Sequence, residues 1–123
     1  MSTLMEAAMV FLDNAHVELD DGLRLGDQVR IRDAAEKAWN AVVQATDHLM
    51  QAHGRIPLPG REAHRARRDF LEETGHPELA QKYTYFAERL HGDMFYGGAM
   101  LPAQRVRQYL EEVRDYLDRA SKV

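Results

Sequence analysis

Three of the six histidines follow an acidic residue by three positions, a spacing that puts both side chains on one face of a helix. These pairs are Asp13 with His16, Glu73 with His76, and Glu88 with His91. Helical bundles that bind two metal ions use Glu-x-x-His pairs of this kind on facing helices. The acidic content of the chain would supply about one such pair by chance, so three pairs are only a small excess. We therefore assign no metal ligand and expect no cofactor. A metal-binding helical bundle is therefore the weakest of three functional hypotheses.

The segment from Arg55 to Arg68 is the one basic stretch of the chain. It holds five arginines against the single acid Glu62, in a chain whose net charge is −4. Arginine suits phosphate because its planar guanidinium donates two parallel hydrogen bonds. No aromatic residue is interleaved, so the segment itself has no stacking platform for single strands. We predict that any polyanion binds at Arg61, Arg65 and Arg68, and the alternative is a basic helix that is merely solvated.

His91 is the most specific candidate for a ligand site, and Tyr96 follows it by five positions. The neighbouring Gly92 costs about 1 kcal/mol in a helix interior relative to alanine, which indicates a packing or functional reason for it. One hypothesis is that His91 and Tyr96 line a cleft that holds a ligand or a phosphate, with His64 as a further ligand-binding candidate. The other is a half-buried histidine beside a glycine that lets another helix pack closely.

Several kinds of chemistry are excluded by composition. The chain has no cysteine, which excludes disulfides, thiolate zinc sites and cysteine nucleophiles. Its only serines, Ser2 and Ser121, are terminal, which excludes a serine hydrolase. No glycine-rich phosphate loop is present, and Gly97 with Gly98 reads as a helix stop.

Glycine and proline divide the chain into long pieces whose apolar residues recur at helical spacing, with no alternating strand pattern. The first helix begins at Thr3, and Gly22 can supply its left-handed C-terminal residue. The other four helices are expected from Asp27 to about His53, from about Glu62 to Thr74, from Pro77, and from Pro102. Together they predict an all-α antiparallel four-helix bundle with one additional short helix, in a single domain over residues 1–123.

The apolar seams of the three longest helices predict a common core. Its members are expected to be Trp39, Val42, Phe86, Leu90, Leu110 and Val113. Tyr85, Arg89 and Tyr96 fall on the side of the fourth helix away from His91 and could form a contact between subunits, where Tyr and Arg are favoured.

The chain has no basic and apolar leader at its start and no apolar run of about 18 residues. Apolar residues make up 45% of it and charged residues 29%, as in globular proteins. We therefore expect a cytoplasmic protein without a membrane partner.

Several short motifs occur along the chain, namely Gly26-Asp27, Ala35-Glu36-Lys37-Ala38-Trp39-Asn40-Ala41 with Val42 and Val43, His64 after a Gly/Pro loop, and Leu90-His91-x-x-x-Phe95-Tyr96. Over a region from about Ala8 to Leu117, the chain resembles the archaeal PaREP family, which is similar to the HEPN superfamily of small helical bundles. The resemblance implies a helical bundle that forms a homodimer and has a link to nucleotide or RNA chemistry.

Active HEPN ribonucleases carry a histidine a few residues after an arginine late in the bundle, and two copies meet across a cleft. In this chain His91 follows Arg89 by only two positions, so the pattern is not present. The resemblance therefore brings over no catalytic residue, and only His91 and Tyr96 are kept as candidate site positions.

The leading functional hypothesis is a non-catalytic HEPN-like module that is associated with nucleotide or RNA, or with a partner protein, in a toxin–antitoxin or stress pair. The alternative is a HEPN-like ribonuclease with a degenerate site. In that case His64 or His91 would act as general acid or base, and arginines would bind the phosphate.

Overall fold

The protein is an all-α bundle, as the helical periodicity predicts. The computed structural model describes residues 3–56, 60 and 62–123. Its helices are α1 (Thr3–Leu25), α2 (Gln28–Ala52), α3 (Glu62–Glu73), α4 (Pro77–Phe86) and α5 (Ala103–Ser121). A π-helical stretch, Ala87–Tyr96, continues α4 directly and is called the π segment below. α4 and the π segment together make the fourth long helix, α3 is the short one, and the described ranges contain no strand.

The boundary between α1 and α2 follows from two residues. Gly26 adopts a left-handed conformation with φ of 65°, which ends α1. The side chain of Asp27 then accepts hydrogen bonds from the backbone N–H groups of Val29 and Arg30, at 3.0 and 3.3 Å, and caps α2. The expectation that Gly22 ends α1 is wrong, because Gly22 lies buried inside the helix.

α1 and α2 form a closely packed hairpin that α5 covers, and the π segment packs against α2. Where α1 meets α2, a Cβ on Gly22 would lie 2.9 Å from Cγ1 of Ile31, so the absence of a side chain allows the close approach. All six predicted core residues are confirmed as buried, each at most 3% exposed.

The short helix α3 packs mainly against α4 and has fewer contacts with α2. Phe70 and Leu71 anchor it to the core. Gly75 adopts a left-handed conformation with φ of 82° in the turn after α3, and α4 then begins at Pro77. None of the helices in the described part of the chain is both long and apolar enough to cross a membrane.

Candidate functional site

Two of the predicted site residues, His64 of α3 and His91 of the π segment, lie next to each other in the fold. Their ring centroids are 6.5 Å apart. Both rings also contact the indole of Trp39 on α2, at 5.7 and 5.8 Å between centroids. Trp39 is buried, so both imidazoles pack against the protein core through its indole. We call His64, His91 and Trp39 the histidine site.

His91 is held by a carboxylate from another helix. Its Nδ1 lies 2.8 Å from Oε1 of Glu36 on α2, so the Nδ1–H group donates to that carboxylate. The sequence pair of Glu88 with His91 is therefore not the pair that forms, and Glu88 is exposed. The π segment is the reason, because a π turn holds more residues than an α turn and positions three apart no longer share a face.

Tyr96 contacts the same ring from the end of the π segment. It meets His91 edge-on at 4.8 Å between centroids, and its side chain is 71% exposed. Phe95 stacks on the other side at 6.3 Å and 11° between ring planes. The Arg32 side chain of α2 donates to the Phe95 carbonyl and fixes the end of the segment. His91 and Tyr96 therefore lie together, as a shared cleft requires, and the expectation that Tyr96 falls on the side of the fourth helix away from His91 is wrong.

His64 is held by the hydroxyl of Tyr83 on α4. Its Nδ1 lies 2.8 Å from that hydroxyl oxygen. Burial lowers the pKa of His64 below its usual value, and the charges of Arg67, His91 and Arg68 lower this pKa further. His64 is therefore neutral at neutral pH.

A buried ion pair stands behind Tyr83. Arg67 donates from Nε and Nη2 to the two carboxylate oxygens of Asp47 on α2, at 2.8 and 3.2 Å, and from Nη1 to the Tyr83 hydroxyl at 3.2 Å. Burial opposes the charge of Arg67, but the hydrogen bonds to Asp47 and Tyr83 outweigh it and raise the pKa of Arg67. For Tyr83, in contrast, burial itself raises the pKa, so the hydroxyl keeps its proton.

These contacts assign the protons of the two imidazoles. Arg67 can only donate, so the Tyr83 oxygen accepts from it, and the Tyr83 hydroxyl proton is left for Nδ1 of His64. Neutral His64 then carries its own proton on Nε2. In the neutral form of His91 the arrangement is the opposite, because Glu36 fixes the proton on Nδ1 and a lone pair is left on Nε2. Within the described residues neither Nε2 has a hydrogen-bond partner, so the site offers one donor beside one acceptor.

Two of the three predicted polyanion-binding residues lie in the part of the chain that the structure describes. Arg65 and Arg68 are exposed on α3, and no acidic side chain of the described residues pairs with either. Arg68 is near enough to His64 to lower its pKa. Arg61 lies outside the described residues.

Sequence reasoning missed the residues that hold the two histidines. Arg67 was read as part of the basic segment, but it points inward and is only 8% exposed. Asp47 is the one acid among the buried positions of α2, and an acid in an apolar seam is a signal that could have led to a buried cationic partner. Tyr83 is not among the predicted site residues.

Two further expectations can be compared with the geometry. A Cβ on Gly92 would meet only the Ala87 carbonyl oxygen, at 3.5 Å. The expectation that Gly92 lets another helix pack closely is therefore wrong. Within residues 3–56, 60 and 62–123, no group of three or more His, Asp or Glu side chains is arranged to hold a metal ion.

Compared with protein families, curated proteins and solved structures, the chain matches none.

Proposed function

We propose that this chain is a non-catalytic, HEPN-like helical module that binds a nucleotide or an RNA phosphate at the histidine site. In this proposal it serves in a toxin–antitoxin or stress pair. The observation that carries it is the meeting of His64 and His91 over Trp39, each with Nδ1 held by another side chain and Nε2 unengaged.

A phosphate ester suits the donor and acceptor of this pair. The Nε2–H of His64 can donate to a phosphate oxygen, and the exposed Arg68 lies on the same side of α3 one turn later. Nε2 of His91 can accept a hydroxyl proton, such as that of a ribose. The exposed ring of Tyr96 beside His91 is available for stacking by a base.

Binding is favoured over cleavage because His64 is neutral and does not carry the second proton that a general acid needs. Cleavage of RNA by two histidines requires a base for the attacking hydroxyl and a protonated acid for the leaving oxygen. The lowered pKa of His64, together with the hydrogen bond that Nδ1 accepts from Tyr83, keeps this ring neutral. A neutral imidazole donates a hydrogen bond but is a poor proton donor for a leaving group.

A ribonuclease with a degenerate site is the second candidate. One observation favours it, namely the distance of 6.5 Å between the two ring centroids, which lets both imidazoles reach a single phosphodiester.

The test uses the fluorescence of Trp39 to report ligand binding, because Trp39 is the only tryptophan of the chain and contacts both histidines. The full chain is titrated with AMP and with a short oligoribonucleotide while the Trp39 emission is followed. We expect saturable binding that weakens as salt is raised, because phosphate contacts release counterions. His64→Gln and His91→Gln should each weaken binding by about tenfold or more. His16→Gln on α1 is the control and should bind as the wild type does.

The same assay tests the basic residues of α3 and the alternative that the chain is a ribonuclease. Charge reversal at Arg65 and Arg68 should lower the affinity and reduce the slope of affinity against salt. If neither probe binds, or if both histidine variants bind as the wild type does, the proposal is wrong. If the oligoribonucleotide is cut by the wild type and left intact by both histidine variants, the ribonuclease replaces the binding module.

A further inference from the structure

A second surface lies apart from the histidine site, where α4 and α5 diverge. The two helices contact each other through edge-to-face rings, Phe86 on Tyr116 and Tyr85 on Tyr109. Between them a groove of about 710 Å³ remains open to the surface, called the α4–α5 groove here. It shares no residue with the histidine site.

The floor of the α4–α5 groove is apolar and firmly positioned. Tyr116 is 1% exposed, and its hydroxyl lies 2.6 Å from the Thr46 hydroxyl oxygen, which fixes its ring. Leu79 is also buried, and Tyr85 is half-buried on the α4 wall. An apolar strip in a groove between two helices is the usual seat of an amphipathic helix.

The walls of the α4–α5 groove carry an excess of negative charge. Its acids are Glu78, Glu111, Glu112 and Asp115, and its cations are Lys82 and Arg119. Both cations already have partners in the walls, at 3.5 Å between Lys82 and Glu112 and at 3.0 Å between Arg119 and Asp115. Glu78 and Glu111 have no ion-pair partner among the described residues and are exposed. A phosphate-bearing ligand is repelled by this surface, whereas a cationic one is attracted.

The length of the groove suits about three helical turns. On α5 its lining residues run from Gln108 to Arg119, a rise of about 16 Å at 1.5 Å per residue. We propose that the α4–α5 groove binds an amphipathic helix of a partner protein. The apolar face of that helix lies on the half-buried ring of Tyr85, and its lysines or arginines pair with Glu78 and Glu111.

The probe is a synthetic peptide of about 12 residues, the length that fills the groove at 1.5 Å per residue. It carries leucines along one helix face, lysines on both flanks and a fluorescent label, and its binding to the full chain is followed by anisotropy. We expect saturable binding that weakens with salt, and no binding of the same peptide with glutamates for the lysines. Glu111→Lys should weaken binding by about tenfold or more, whereas Glu6→Lys on α1 should leave it unchanged.

A steric variant tests the groove without a change of charge. Gln108→Trp fills the groove and should abolish binding, whereas Gln104→Trp, on the same helix but outside the lining, should not. Equal binding by Glu111→Lys, Glu6→Lys and wild type would overturn the proposal. So would a free chain that self-associates and becomes monomeric on Glu111→Lys, because the groove would then hold a second copy of this chain. Neither result depends on AMP or RNA binding at the histidine site.

Discussion

Each histidine of the site is controlled by a residue on another helix. Glu36 of α2 takes the Nδ1–H of His91, and Tyr83 of α4 donates to Nδ1 of His64. In their neutral forms the two imidazoles therefore carry the proton on different nitrogen atoms, Nδ1 in His91 and Nε2 in His64. The ion pair of Arg67 with Asp47 makes this difference possible, because it occupies the Tyr83 oxygen as an acceptor.

Removal of the Tyr83 hydroxyl should raise the pKa of His64. Tyr83→Phe deletes the hydrogen bond that stabilises the neutral ring, while burial and the nearby charges of Arg67, Arg68 and His91 still lower this pKa. The measurement is an NMR titration of the His64 ring with pH in both proteins. An unchanged pKa would mean that the Tyr83 hydroxyl does not donate to His64.

The lowered pKa of His64 also has a consequence for stability. The unfolded chain binds a proton on this ring at a higher pH than the folded chain does, so this contribution to stability falls as pH drops below about 6.5. The wild type should therefore lose more stability than His64→Gln between neutral and acidic pH. Denaturant unfolding at a series of pH values measures the difference, and parallel curves would contradict it.

Gly92 should tolerate a methyl group. A Cβ there meets only the Ala87 carbonyl oxygen, at an ordinary contact distance of 3.5 Å, and the backbone is not left-handed. Because glycine costs about 0.5–1 kcal/mol relative to alanine inside a helix, Gly92→Ala should raise the melting temperature and leave ligand binding unchanged. A lower melting temperature would show a packing constraint at Gly92 that the geometry does not contain.

A buried polar contact joins α3 to α2. α3 has few contacts with α2, and the pair of Arg67 with Asp47 bridges these two helices with both side chains about nine-tenths buried. Asp47→Ala leaves the guanidinium buried without its partner and should destabilise the protein by about 3–5 kcal/mol.

The control for this prediction is a pair on the surface of one helix. Asp115→Ala removes the exposed partner of Arg119 and should cost less than about 1 kcal/mol. Chemical denaturation of both variants gives the comparison. Similar losses in the two proteins would mean that the buried pair does not hold α3 in place.

For the whole molecule we predict a homodimer. Tyr96, Met100 and Leu101 are large apolar side chains close together in sequence, and all are exposed. Light scattering at tens of micromolar should give twice the chain mass of 14.1 kDa, with the same patch on both subunits. Met100→Lys should shift the equilibrium to the monomer. A wild-type mass of one chain would contradict the dimer.

Local signals in the sequence were sufficient to predict most of the helices and the core of the bundle. Asp27 before α2, Pro77 at the start of α4 and the apolar seams through Trp39 and Leu110 act within one or two turns, so residue types alone predict them. Short local motifs, and for His91 the neighbouring Gly92, identified His64 and His91 as candidates. They did not predict the π segment, because the neighbouring residues Leu90 and Met94 also suit an α-helix.

The partners of the histidines depended on how the helices pack. Glu36 is 55 positions from His91, and Asp47 is 20 positions from Arg67. No local periodicity relates such residues, since their meeting depends on the rotation of each helix about its axis. The π segment changes that rotation after α4, which separates Glu88 from His91 and turns His91 toward α2. Residue types therefore define which side chains can do chemistry here, and helix packing selects which of them meet.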